Sequence, residues 1–286
     1  MPIIWSLVPA TESDALLFVD VQNSRLKHMN LSSGIVDVLY RSSDTYSLRG
    51  AAFVADAQNR MQILLLVEMQ PIAADKTMTY SLVVAELRGA TWTLTQRIAF
   101  DSAPSALNDR SIASICAVRT NKVLCGVSQS ASLDVFSVTT SAQAARKEAP
   151  VRLGFTHLCF TCGAYDGTDL LFACDLFGKT HILEVCDGAP LALQLLRCID
   201  TTCGGRLLWR NNGLLFCSEC NEQSKTDSVR VWRVTRGGRR AELLEGTPIT
   251  HADNVNITCW CSLGDKIAIC DSKTKDLAIY SCDLHK

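Results

Sequence analysis

Residues 170–185 read LLFACDLFGKTHILEV. An unbroken apolar run stops at Asp175, a turn carrying Gly178 follows, and a second run mixes polar and apolar side chains. Short runs rich in Leu, Val, Ile and Phe, punctuated by Gly, Asp, Asn and Ser, predict a β-hairpin and not a helix. The unit recurs as LLFVDVQNSRLKHMNL from Leu16, VLCGVSQSASLDVFSV from Val123 and KIAICDSKTKDLAIYS from Lys266. With longer turns it recurs as LLFCSECNEQSKTDSVRVWRV from Leu214, and as ILLLVEMQ from Ile63 followed by YSLVVAEL from Tyr80. Six copies therefore begin at 16, 63, 123, 170, 214 and 266, spaced mostly 44 to 52 residues apart with one interval of 60.

Further apolar runs flank these hairpins. IIWSLV, GAAFVAD, SICAVRT, HLCFTCG, GRLLWRN and NITCWCS precede them, and IVDVLYR, TWTLTQRIAF, VRLGF, ALQLLRCI and RAELLEG follow the first five. Each unit thus holds four strands, and a four-stranded repeat of about 40–50 residues is the signature of a β-propeller. The predicted fold is all-β, a single six-bladed β-propeller domain over 1–286. Its blades fall at approximately 3–42, 49–100, 111–155, 157–200, 205–249 and 255–284. The second strand of each blade is apolar almost throughout, as expected where both faces of a sheet are covered. SAQAARKEA (Ser141–Ala149) has weak helical spacing and reads as a polar loop with one helical turn.

The sixth unit has NITCWC, KIAICD and LAIYSC, and the chain then reaches Lys286 without an outer strand. Either the amino-terminal run IIWSLV supplies that strand, or it is the inner strand of blade 1 and blade 6 keeps an open edge. The turn PATESD, leading straight into LLFVDV, favours the second arrangement. An open edge invites a partner strand. The expected partner-binding residues are Asp276, Leu277, Ala278, Ile279, Tyr280, Ser281 and Cys282.

Charge excludes some roles. Lys plus Arg is 28 against 29 for Asp plus Glu, so the net charge of −1 creates no general field for nucleic acid or an anionic membrane. No apolar run is long enough to span a bilayer. The opening MPIIWSLVPATESD lacks a basic region and is cut short by Thr11, Glu12, Ser13 and Asp14, so no signal peptide is expected. The 14 cysteines are scattered, and Cys125, Cys174 and Cys270 sit inside apolar runs. They read as free core residues of a protein in a reducing compartment, cytoplasmic or nuclear.

Several motifs could carry chemistry. Cys159/Cys162 and Cys217/Cys220 are C-x-x-C pairs. Zinc needs four convergent ligands, but in an extended strand residues i and i+3 face opposite ways, so core filling is expected and no metal. Cys259 and Cys261 flank Trp260 on one strand and read the same way. His28, His157, His181, His251 and His285 have no metalloprotease spacing. His157 and His251 lie at strand entries and suit structural hydrogen bonds. No nucleophile elbow, phosphate loop or dinucleotide fingerprint stands in its required context. The protein is expected to be no enzyme and to need no cofactor. Arg233, Arg236, Arg239 and Arg240 form the densest basic stretch, around a Gly237–Gly238 turn; without interleaved aromatics it reads as a solvated turn.

The last two units carry a resemblance. In HADNVNITCWCSLGDKIAICDSKTKDLAIYSCDL, His251 resembles the loop histidine of WD repeats. Val255, Ile257 and Trp260 resemble the strand that follows it, and Asp276 the turn aspartate. In DSVRVWRV, Asp227 and Trp232 resemble the turn aspartate and the strand tryptophan. No Trp-Asp dipeptide occurs, and Tyr280 stands where tryptophan is usual. The chain is thus similar to a divergent WD-repeat-like propeller. That resemblance implies a rigid protein-interaction scaffold in a multi-subunit assembly, with partners able to donate a strand or blade. The alternatives are an RNA-associated propeller using the blade 5 arginines, and a propeller hydrolase with a polar axial pocket.

Overall fold

The protein is described by a computed structural model at residues 4–9, 15–55, 61–71, 78–88, 91–100, 113–118, 121–139, 144–188, 190–202, 206–210, 212–221, 226–235, 237–244, 257–271 and 276–281. The chain divides into two compact units, Met1–Arg152 and Leu153–Lys286. Each holds three antiparallel sheets, and these are the six blades expected from the repeat.

In the first unit, blade 1 is β1 (Ile4–Pro9), β2 (Ala15–Asp20), β3 (Arg25–Asn30) and β4 (Val36–Arg41), in that spatial order. Blade 2 is β5 (Ser47–Ala55), β6 (Met61–Pro71), β7 (Met78–Arg88) and β8 (Thr91–Ala99). Blade 3 is β9 (Ala113–Val118), β10 (Lys122–Val127) and β11 (Ser132–Thr139), and its outer position is shared by β12 (Ala144–Lys147) and β13 (Val151–Arg152).

In the second unit, blade 4 is β14 (His157–Tyr165), β15 (Thr168–Asp175), β16 (Lys179–Cys186) and β17 (Ala192–Asp200). Blade 5 is β18 (Leu207–Arg210), β19 (Leu214–Asn221), β20 (Thr226–Thr235) and β21 (Arg240–Leu243). Blade 6 is β22 (Ile257–Leu263), β23 (Lys266–Asp271) and β24 (Leu277–Ser281).

Two expectations are corrected in blade 3. Within SAQAARKEA, residues 144–147 are strand β12, paired with Phe136–Thr139 of β11. The sequence VRLGF supplies only the two residues of β13, opposite Ser132 and Leu133. Alanine-rich spacing suggested a helix, but neighbouring strands claim the backbone. Gln96 of β8 donates to the Ala145 carbonyl (2.8 Å) and accepts from the Ala145 N–H (2.9 Å).

The apolar second strands of the middle blade of each unit, β6 and β19, are covered on both sides. In β6, Leu64 and Leu66 pack against Leu17, Val19 and Leu26 of blade 1. Ile63 and Leu65 pack against Val123, Cys125 and Phe136 of blade 3. In β19, Leu215 and Cys217 meet Leu170, Phe172 and Cys174 of blade 4. Leu214 and Phe216 of β19 meet Trp260, Ile267 and Ile269 of blade 6. A full burial of this kind contributes about 1.5–3 kcal/mol per large side chain.

Bulges punctuate both margins of the blades. On the inner strand the register shifts between Ile4/Leu7, Leu48/Gly50, His157/Cys159 and Ile257/Cys259. On the outer strand Leu39, Thr95 and Leu196 are the extra residues of β4, β8 and β17. Such bulges spoil an edge as a template for further pairing.

Between blades 4 and 5, Trp209 of β18 packs directly on Gly163 of β14. A Cβ at position 163 would lie 2.0 Å from Trp209 Cδ1. The indole also stacks on Phe172, with ring centroids 4.6 Å apart, and meets Tyr165 edge-on at 5.7 Å. Gly163→Ala should therefore destabilise the fold by about 1–3 kcal/mol through overpacking. Thermal unfolding followed by circular dichroism should show Tm falling by roughly 2–4 °C for each kcal/mol.

Candidate functional site

With the strands of each blade lettered a to d in chain order, the apolar run of strand b ends on an acidic residue in five blades: Asp20, Glu68, Asp175, Glu219 and Asp271. In blade 3 it ends instead on Ser128. Three of these carboxylates meet a Lys or Arg from strand c or d of their own blade, and Asp175 meets the His181 imidazole. Lys27 Nζ is 2.7 Å from Asp20, Arg97 Nη2 2.6 Å from Glu68, His181 Nε2 2.9 Å from Asp175, and Arg230 Nε 2.7 Å from Glu219. Glu68 is almost fully buried and joins two blades, accepting from Tyr40 Oη at 3.2 Å and from Ser42 Oγ. Burial and the neighbouring Glu68 charge push the Tyr40 phenol well up. Arg97 also lies over the Tyr46 ring at 4.0 Å. The acid was visible in the repeat itself, as LLFVD, LLLVE, LLFACD, LLFCSE and KIAICD.

Blade 4 has the densest polar network. Asp175 Oδ1 accepts from the N–H of Phe177 (2.8 Å) and of Lys179 (3.0 Å), while Oδ2 faces His181. Burial alone would raise this carboxyl; the His181 hydrogen bond and the two N–H groups outweigh it and hold it below its ordinary value. Phe155 stacks on the His181 ring, centroids 3.7 Å apart. Thr180 and Thr201 share a 2.7 Å hydroxyl hydrogen bond, and Thr201 donates to the Gly178 carbonyl. The Asp175–His181 pair and the Thr180–Thr201 pair are two separate hydrogen-bonded units of blade 4. His157, at the entry of β14, is buried edge-on to Phe160. His28 is half-buried on β3. His251, Val255 and His285 lie outside the described residues, as does the side chain of Asp227. Ile257 and Trp260 are buried on β22, and Trp232 packs half-buried between blades 4 and 5.

The C-x-x-C pairs lie along strands, as expected. Cys159 and Cys162 are both on β14, the first buried and the second half-buried. Cys217 is buried on β19, and the Cys220 side chain lies outside the described ones. Cys159 instead faces Cys174 across the strand pair, and Cys259 faces Cys270 in the same place in blade 6. Both pairs sit beside the inner-strand bulge, one residue before the strand b acid. Burial and the hydrogen bond with Cys270 push the Cys259 thiol well up, and burial raises Cys261 to about 12. Among the described residues no group of three or more His, Cys, Asp or Glu is arranged to hold a metal ion.

The predicted edge is β24. Its five residues pair with β23 in unbroken register from Lys266↔Ser281 to Cys270↔Leu277. Asp276 and Ile279 are exposed, Leu277, Ala278 and Tyr280 half-buried, and Ser281 exposed. Cys282 lies outside the described residues. The amino-terminal strand β1 pairs with β2, so it serves blade 1. The arginines are spread more widely than their spacing implies. Arg233 is exposed on β20, Arg236 is outside the described residues, and Arg239 and Arg240 line an open cleft of about 510 Å³. Asp166, Thr168 and Glu184 of blade 4 line the same cleft, so its charge is mixed.

No protein-family model matches the chain, and no curated protein matches its sequence. Solved structures match its shape. The β-propeller domain of Cps50 (Swd1) from Myceliophteria thermophila aligns over 98% of this chain and 97% of that one, at 11% identity and TM-score 0.56. A protein from Lactobacillus plantarum aligns over 98% and 81%, at 14% identity and TM-score 0.64. A chain in the Mitotic Checkpoint Complex aligns over 99% and 90%, at 8% identity and TM-score 0.57. At such identities the likeness carries the fold alone: an all-β propeller, here with six blades, the last of three strands. No helix among the described residues is long and apolar enough to cross a membrane.

Two outcomes follow from the site. Asp175 is held below its ordinary value, so its stabilising contribution is complete above about pH 4–5 and is lost as pH falls through the lowered folded value. Asp175→Asn should lower stability at pH 7, and the gap to wild type in urea unfolding should close on acidification. Cys198 is exposed, although burial and the Asp175 charge raise its thiol. Thiol-reactive dye should therefore label Cys198 first among the described cysteines, faster as pH rises. Cys198→Ser should remove that phase, while Cys125 and Cys259 should react only on unfolding.

Proposed function

We propose that the chain acts as a non-enzymatic protein-interaction scaffold in a larger assembly, in the cytoplasm or nucleus, and that blade 6 accepts a β-strand from a partner protein along β24. One observation carries this reading. The outer strands β4, β8 and β17 are bulged, that of blade 3 is split into β12 and β13, and β21 has only four residues. By contrast β24 is regular along its length and, among the described residues, pairs only with β23. Unblunted edges template further pairing.

The ladder fixes which groups are free. The Asp271 N–H donates to the Asp276 carbonyl at 3.0 Å. Hydrogen-bonded pairs alternate along an antiparallel ladder. The N–H groups of Asp276, Ala278 and Tyr280 therefore point at β23, and those of Leu277, Ile279 and Ser281 point away from it. Tyr280 packs against the core shared by blades 5 and 6, which anchors the strand. Ile279 offers an apolar contact, being 43% exposed.

The similar chain in the Mitotic Checkpoint Complex belongs to a multi-protein assembly. An RNA-associated role draws less support, because Arg239 and Arg240 share their cleft with two carboxylates. A hydrolase role has less still, since the strand b carboxylates with described partners are engaged in ion pairs.

Ile279→Pro removes an outward N–H while sparing every β23–β24 hydrogen bond. Affinity purification with mass spectrometry from the source cell should recover a stoichiometric partner with wild type and lose it with Ile279→Pro, at little change in Tm. Equal recovery with both proteins would refute strand addition at β24.

A further inference from the structure

The turn between β15 and β16 presents an apolar pair that the fold does not use. Phe177 is 87% exposed and Leu176 49%, the former the highest exposure of any large apolar side chain among the described residues. At the place of Phe177 the other two blades where the turn is described are polar, with Gln22 in blade 1 and Ser130 in blade 3. Leu176 stands where they have Gln129 and Val21, the latter packed against the core. An exposed phenylalanine in place of a polar residue gains nothing for folding.

The turn is also fixed with unusual thoroughness. The N–H groups of Phe177 and Lys179 both donate to Asp175 Oδ1. The Gly178 N–H donates to the Asp175 carbonyl at 3.2 Å, and the Gly178 carbonyl accepts from Thr201 at 2.8 Å. Gly178 has φ +79°, which a side chain would resist. His181, held under the Phe155 ring, locks the other Asp175 oxygen. The backbone that carries Leu176 and Phe177 is therefore ordered before any contact is made, and little entropy remains to be lost on binding.

We propose that Leu176 and Phe177 are a preformed anchor that inserts into an apolar pocket of a partner protein. Area and charge select this occupant. One aromatic ring buries roughly 150–250 Å², against the ~800 Å² per partner that a stable symmetric dimer needs. The pair is thus too small to drive self-association alone, but it suits the buried centre of a larger interface. Between Leu170 and Val185 the only Lys or Arg is Lys179, which stands opposite Asp200 in the strand ladder. The hairpin therefore carries no polybasic stretch to draw it towards an anionic membrane. The inference rests on the interaction reading above but not on the β24 edge.

The test places a photo-reactive side chain in the full protein, Phe177→p-benzoylphenylalanine, with Asp166→p-benzoylphenylalanine at the opposite end of β15 as control. Irradiation in the source cell should cross-link position 177, and not 166, to another protein. Peptide mapping should put the adduct among apolar residues. Phe177→Ser should weaken recovery of that protein at least tenfold and leave Tm unchanged. Adducts on lipid or on a second copy, adducts at both positions alike, or no adduct would each overturn the inference. If Ile279→Pro loses the partner while Phe177→Ser keeps it, the anchor fails and strand addition stands; the reverse result retains the anchor and removes β24.

Discussion

The structure turns on a carboxylate placed where the apolar run of strand b must stop. In β6 and β19 strand b is covered on both faces by neighbouring blades, so its residues have no polar option along most of its length. Asp20, Glu68, Asp175 and Glu219 end the run in their blades; three meet a Lys or Arg of their own blade and Asp175 meets the His181 imidazole. Asp20 and Glu68 are almost fully buried, and an unmatched charge there would cost several kcal/mol. The match therefore specifies how strand b, its turn and its outer neighbours are set against one another. In blade 1 the Asp20 carboxylate also takes the Asn23 N–H and side-chain amide, and in blade 4 Asp175 takes two turn N–H groups. Turn shape thereby follows from core chemistry.

That rigidity gives the two proposed docking surfaces their character. Most outer strands are spoiled for pairing by a bulge, a break or short length, while β24 keeps a regular ladder. The turn of blade 4 holds an exposed phenylalanine on a fully hydrogen-bonded frame. Both features offer a partner ordered groups, one through backbone and one through side chains. Binding from such surfaces forfeits little conformational entropy.

Strand periodicity made the blades legible, because burial on two faces writes itself as runs such as LLLV and LLFAC. The three-stranded last blade was legible for the same reason, as a count of strands. The 144–147 strand was not, since Ala144 and Ala145 suit a helix by propensity and only pairing with β11 and Gln96 decides otherwise. The cysteines misdirected attention along the chain. Their true neighbours lie across it, Cys159 to Cys174 and Cys259 to Cys270, and register of that kind depends on bulges that leave no local mark in sequence. The blade 4 network was hidden because His181 sits within a strand and finds Asp175 six residues earlier only through the hairpin.

Residue-resolved amide hydrogen exchange of β24 tests the central claim most directly. With the edge open, the Leu277, Ile279 and Ser281 amides should exchange rapidly in the isolated protein, while those of Ala278 and Tyr280, bonded to β23, should be strongly protected. Comparable protection of all five would mean that the chain covers its own edge, and the account of blade 6 as a docking strand would be wrong.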